Sequence, residues 1–174
     1  IWVDSDEKLN EMLDLLSDKR LLAVDTEFIR TDTFFPKIAL IQISDGVECF
    51  LLDVLAVRHY DGLKLLLEDP DRTLIFHACA ADMEVLEYGL NIIPKNIFDT
   101  QIAAGIANVG YAMGYARLVQ HLFDVELDKQ ETRSDWLARP LTERQIEYAA
   151  YDVLYLHAMH EILDKMLTDQ GRQL

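Results

Sequence analysis

The sequence predicts an α/β fold in which a mixed β-sheet, an antiparallel meander joined to parallel strands, is flanked by α-helices. Three observations carry this. Short apolar runs that read as strands fill the first third of the chain, strand and helix patterns alternate between about residues 59 and 100, and only helical periodicity follows.

Leu9, Met12, Leu13 and Leu16 recur at i, i+3, i+4 and i+7, which gives an amphipathic helix over 5–18. "LLAV" (21–24) is a buried strand, and Asp25 and Glu27 stand at its C-terminal end. "KIALIQIS" (37–44) sets Ile38, Leu40 and Ile43 among polar or small residues. After a turn at Asp45-Gly46, "ECFLLDV" (48–54) is its partner. Three strands with short links make an antiparallel meander. A helix over 59–68, a strand over 73–77, a helix over 80–90 and a short strand over 96–100 come next. The last element has the sharpest start: Thr142 and Gln145 form a capping box just after Pro140. From there Ile146, Ala149, Ala150, Val153, Leu154 and Ile162 carry one helix to about residue 167.

No repeat, low-complexity tract or linker interrupts the 174 residues, so a single domain over 1–174 is expected. No run approaches the roughly 20 apolar residues of a membrane span, and the acidic "IWVDSDEKLN" is unlike a basic signal peptide. A soluble chain without a membrane role is expected. Cys49 and Cys79 have no metal-ligand spacing, which points to a reducing, cytoplasmic setting. The formal net charge of −15 excludes a general polyanion binder, so any nucleic-acid role rests on a local site.

That site is marked by acids where apolar patterning does not ask for them. Alternation along a strand puts Asp25 and Glu27 on one face, about 6 to 7 Å apart. In "HACAAD", His77 ends a strand and Asp82 falls on the first turn of the next helix. In "EYAAYDVLYL", Tyr148 and Asp152 are i, i+4 neighbours, and the adjacent Ala149 and Ala150 imply close packing of that face. Four carboxylates without comparable cations repel one another unless hard divalent cations join them, and oxygen-only ligands select Mg²⁺ or Mn²⁺. Two such ions about 3.5–4 Å apart can hold a phosphodiester during hydrolysis.

Asp25-Thr26-Glu27, His77 to Asp82 and Tyr148-x-x-x-Asp152, in this order, resemble the three motifs of the DEDD superfamily of 3′-5′ exonucleases in its DEDDy branch. Within it, "AVDTEFIRTDTFFPKIALIQI" and "SDWLARPLTERQIEYAAYDVLYL" are similar to ribonuclease D over long runs, and "IFDTQIA" sits where that family has a similar segment. The resemblance spans essentially the whole chain and implies a ribonuclease H-like fold. It also implies a 3′-5′ exoribonuclease that uses two Mg²⁺ or Mn²⁺ ions and acts on RNA with a free 3′ end, such as tRNA precursors. Family members of the usual length continue into helical HRDC domains, which this sequence does not include.

By the same resemblance Asp25, Glu27 and Asp152 ligate the ion that activates water, Asp25 bridges to a second ion supported by Asp82, and Tyr148 orients the water. The backbone of Thr26 to Phe28 meets the RNA 3′ end, with Phe28 a candidate to stack on a base and His77 to touch a phosphate. Lys129, Arg133 and Arg139 in "DKQETRSDWLARP" are candidates to offset phosphate charge, with Trp136 as the anchor of that loop. Two alternatives stay open: a DNA exonuclease of the same chemistry, and a catalytically silent binding module. No residue identifies itself as the reader of a ribose 2′-OH.

Overall fold

Leucine and isoleucine runs separated by polar turns build a six-stranded sheet in the computed structural model, which describes residues 1–30, 34–127, 131 and 134–172. The strands are β1 (Trp2–Val3), β2 (Leu21–Ile29), β3 (Lys37–Ser44), β4 (Cys49–Asp53), β5 (Thr73–Phe76) and β6 (Ile97–Asp99), in the order β1-β4-β3-β2-β5-β6. The meander is there: β2 with β3 and β3 with β4 pair antiparallel, while β5 joins β2 and β6 joins β5 in parallel. Two features differ from the sequence expectation. β1 adds a parallel edge beside β4, two residues too short to show alternation. β2 does not end at its acids but runs on to Ile29, because β3 pairs with it along its length across a register irregularity at Glu27/Phe28.

Helices cover both faces. The helices α1 (Asp6–Leu16), α2 (Asp61–Leu67) and α3 (Ala80–Leu90) bury Leu9, Leu63 and Leu86 against Leu22, Val24 and Phe76. On the other face α4 (Thr100–Ile106), α5 (Tyr115–Phe123) and α7 (Leu156–Asp169) enclose Ala23, Ile75, Met159 and Leu163. The remaining helix, α6 (Glu143–Leu154), lies over β3 and β4, where Ala39 and Ala149 let the backbones approach beside Trp136.

The helix ends are closed by side chains. Ser5 accepts from the Lys8 amide at the start of α1, and the buried Arg72 guanidinium donates to the carbonyls of Leu16, Ser17 and Lys19 at its end. Thr142 and Gln145 form the expected capping box. The segment before it is strapped down by Arg139, which donates to both carboxylate oxygens of buried Asp53 at 2.8 and 2.6 Å and to the carbonyls of Ala39 and Trp136. Such a two-pronged pair is stronger and more directional than an exposed one.

The single long helix expected from residue 142 to about 167 is instead two helices that meet at Tyr155. The cause is one hydroxyl. Tyr115 donates to the Tyr151 carbonyl at 2.6 Å and accepts from the Tyr155 amide at 3.2 Å, so the phenol stands where the i→i−4 bond would be. The apolar period runs through the break unchanged, which is why the sequence hides it. The bend lets α6 cover β3 and β4 while α7 packs on α4 and β5.

Tyr115→Phe removes only that hydroxyl and strips a partner from two backbone groups. The expected outcome is a loss of about 1 to 3 kcal/mol in urea unfolding with an unchanged m-value, and faster hydrogen exchange at the Tyr155 amide. Wild-type exchange at that amide would show that the helix closes its own ladder when the phenol is gone.

Candidate active site

The site is built on a strand flank that the topology leaves open. β5 pairs with β2 only through Leu21, Leu22 and Ala23 and stops at Phe76, so beyond Ala23 one side of β2 has no neighbouring strand. Asp25 and Glu27 lie on this stretch and share the face of Ala23, towards α6 and α7, while Thr26 and Phe28 face α3. Asp152 comes from α6. One carboxylate oxygen from each of Asp25, Glu27 and Asp152 falls within 4.8 Å of the others, a spacing that a metal ion could occupy.

Asp82 approaches from the first turn of α3, buried and gripped by the Thr26 hydroxyl at 2.5 Å. Thr26 therefore acts on the site through Asp82, which its backbone amide also supports. Tyr148 hydrogen-bonds Asp152, and its ring stacks obliquely on buried Trp136 with centroids 6.0 Å apart.

No ion pair among the described residues involves any of the four acids. Their carboxyls are accordingly hard to ionise. Burial, then the charges of Asp82, Asp152 and Glu27, pushes Asp25 well above the usual range. Burial and the charges of Asp152 and Asp82 raise Glu27 to about 9. Burial lifts Asp152 to about 7, held back by the Tyr148 hydrogen bond, and Asp82 to about 6, held back by the Thr26 hydroxyl. Gln42, opposite Asp25 on β3, brings its buried amide close enough to Glu27 to oppose that rise, without a hydrogen bond of good geometry. Oxygen donors this close and this starved of positive charge fit hard divalent cations.

The other sequence candidates fall in several places. His77 bridges Thr100 Oγ1 (Nδ1, 2.8 Å) and the Met113 carbonyl (Nε2, 3.0 Å), and burial lowers its pKa. A neutral ring with both nitrogens engaged has none left for a phosphate, so His77 is a strut between α4 and the turn before α5. Phe28 is partly buried, packed against the core beneath α3, and keeps partial exposure beside the acids. Arg139 is spent on Asp53 and does not face the site. Lys129 and Arg133 lie outside the described residues. Trp136 is 1% exposed and anchors its segment as expected.

A cleft of about 700 Å³ opens beside Asp152 and Tyr148, lined among others by Tyr115, Leu127, Arg144 and Tyr151. Arg144 and Tyr151 escaped the sequence reading. Their signal was present: Arg144 stands four residues before Tyr148, Tyr151 three after, on one helical stripe. Tyr115 had no such signal, since its place depends on the α5 packing.

Comparison with known proteins agrees with this geometry. Residues 1–168 match the family described as 3′-5′ exonuclease. A ribonuclease D of Pseudomonas paraeruginosa is 42% identical over 171 residues, covering 98% of this chain and 46% of that protein. The crystal structure of Escherichia coli RNase D, described as an exoribonuclease involved in structured RNA processing, superposes with a TM-score of 0.94 at 38% identity, covering 98% of this chain and 46% of that one. Brucella melitensis NrnC with bound Mg²⁺ superposes with a TM-score of 0.79 at 30% identity, covering 90% and 77%. The chain spans about half the length of the ribonuclease D proteins it matches. Three motifs, a mixed sheet that exposes them on one strand flank, and a family match over nearly all its residues agree: the chain belongs to the 3′-5′ exonuclease family.

Proposed function

We propose that this chain is the catalytic unit of a metal-dependent 3′-5′ exoribonuclease, which removes nucleotides from the free 3′ ends of structured RNA of the tRNA-precursor kind. The observation that carries the reading is the meeting of Asp25, Glu27 and Asp152 within 4.8 Å, with Asp82 held beside them by Thr26. Asp25, Glu27 and Asp152 would hold one Mg²⁺ or Mn²⁺ ion, with Asp25 and Asp82 supporting a second. When bound, such ions supply charge neutralisation at the phosphate and a lowered pKa for the attacking water.

The chain's own groups do the positioning. Tyr148 donates its proton towards Asp152, so its remaining lone pairs can accept a hydrogen bond from the attacking water and aim it, and it has no proton to spare as an acid. Thr26 fixes the Asp82 carboxylate through its hydroxyl and its backbone amide, and the strand flank of β2 beyond it, which no strand pairs, can meet the terminal nucleotide. Arg144, on the cleft wall, is placed to receive phosphate charge. Both cysteines are free thiols, in keeping with a cytoplasmic enzyme.

Without metal the acids should make stability pH-dependent. Their folded pKa values lie above unfolded values near 4, so the folded state binds more protons than the unfolded one across that interval. Stability in EDTA should therefore fall as pH rises from about 4 through the values near 6, 7 and 9. Millimolar Mn²⁺ should restore it at pH 7 to 8, and Asp25→Asn should blunt the rescue. Melting curves across pH with EDTA or Mn²⁺ measure this; a flat profile in EDTA would contradict a buried acid cluster.

The chemistry is tested with 5′-labelled RNA and DNA oligomers under single-turnover conditions. Wild type should shorten RNA one nucleotide at a time, and EDTA should abolish the reaction. Asp152→Ala should lose both Mn²⁺ binding and turnover. Tyr148→Phe keeps the ring on Trp136 and should retain Mn²⁺ while turnover falls by roughly 10- to 1,000-fold. Cleavage of circular RNA would defeat the exonuclease assignment, and preference for DNA would move the substrate class.

A further inference from the structure

Three aromatic rings form a chain of contacts on the surface between the residues before β3 and the far end of α3. Phe34 meets Phe35 edge-on with centroids 4.9 Å apart, and Phe35 lies against Tyr88 at 4.3 Å with the planes 37° apart. Phe34 is 87% exposed and Tyr88 55%, so the rings add little to the core. Scattered exposed apolar residues need no explanation, but a contiguous aromatic group beside a catalytic cluster does.

Its place relative to the acids follows from contacts along α3. Thr26 bonds Asp82, Arg30 pairs with Glu84, and Phe35 packs on Tyr88, so these contacts follow α3 from the carboxylates out to the aromatic rings. Six residues of helix separate Asp82 from Tyr88, about 9 Å along the axis at 1.5 Å per residue. That is about two to three stacked nucleotides at 3.4 Å each.

We propose that Phe34, Phe35 and Tyr88 form a stacking platform for the bases of single-stranded RNA a few nucleotides upstream of the 3′ end; this rests on the exoribonuclease reading above. Charge supports RNA bases as the occupant. The chain carries a net −15 and Arg30 beside the patch is paired with Glu84, while exposed Lys37, two residues beyond Phe35 at the start of β3, offers positive charge to a phosphate between the stacked bases. Stacking on aromatic faces needs no positive charge and tolerates any base sequence.

The test is binding of a 5′-fluorescein hexaribonucleotide and a matching dinucleotide, read by anisotropy in Ca²⁺, with Mn²⁺-driven shortening measured in parallel. Phe34→Leu and Tyr88→Leu keep apolar bulk but lose the π face; each should weaken hexamer binding about 10-fold and dinucleotide binding much less. Phe34→Trp should bind the hexamer at least as well as wild type. Phe34 is so exposed that its variants should melt with the wild type, and Leu65→Ala, at an exposed site on α2, should leave both readouts unchanged. Wild-type hexamer affinity in both Leu variants, alongside normal shortening, overturns the platform alone and leaves the patch to a protein partner. Leu-sensitive binding by a wild-type chain that shortens no RNA would uphold the platform and refute the hydrolytic reading.

Discussion

The mutual repulsion of carboxylates crowded at the open flank of β2 is the constraint around which the site is arranged. Two unit charges within 4.8 Å cost about 3 to 4 kcal/mol at an effective dielectric near 20. Three such pairs amount to roughly the entire net stability of an ordinary domain, about 5 to 15 kcal/mol. Protons or cations must therefore accompany the fold, and at neutral pH only cations leave the acids ready to act as ligands. The hydrogen bonds from Thr26 to Asp82 and from Tyr148 to Asp152 are neutral donors, which orient the carboxylates without neutralising them.

Around this cluster the protein spends its own cations on architecture. Arg72 closes the end of α1, and Arg139 ties the segment before α6 to Asp53 and Ala39. Both are held by several acceptors and neither faces the acids. Keeping structural guanidinium groups away from the cluster preserves its appetite for divalent ions, since a nearby arginine would satisfy the same carboxylates and compete with metal.

Much of this was legible in the sequence because its signals are local. The meander, the strand-helix alternation and the capping box at Thr142 rest on alternation, periodicity and turn chemistry. The acids stood out because Asp25, Glu27, Asp82 and Asp152 interrupt apolar patterns. What stayed hidden depends on distant partners. Phe28 is half covered by the core beneath α3, and His77 became a strut because Thr100 and Met113 come to it from other elements. The break at Tyr155 is written in residue 115, and the run of β2 past its acids to Ile29 rests on its pairing with β3.

The joint between α6 and α7 divides the C-terminal segment by its tolerance of length change. Each residue inserted in a helix rotates everything beyond it by about 100°. An insertion between Tyr148 and Asp152 would swing the carboxylate off the face that meets Asp25 and Glu27. The same insertion after Tyr155 would leave that face alone and disturb only how α7 lies on α4 and β5. Register is thus a matter of chemistry on one side of the Tyr115 hydroxyl and of packing on the other, and length variation should be far better accommodated beyond it than before it.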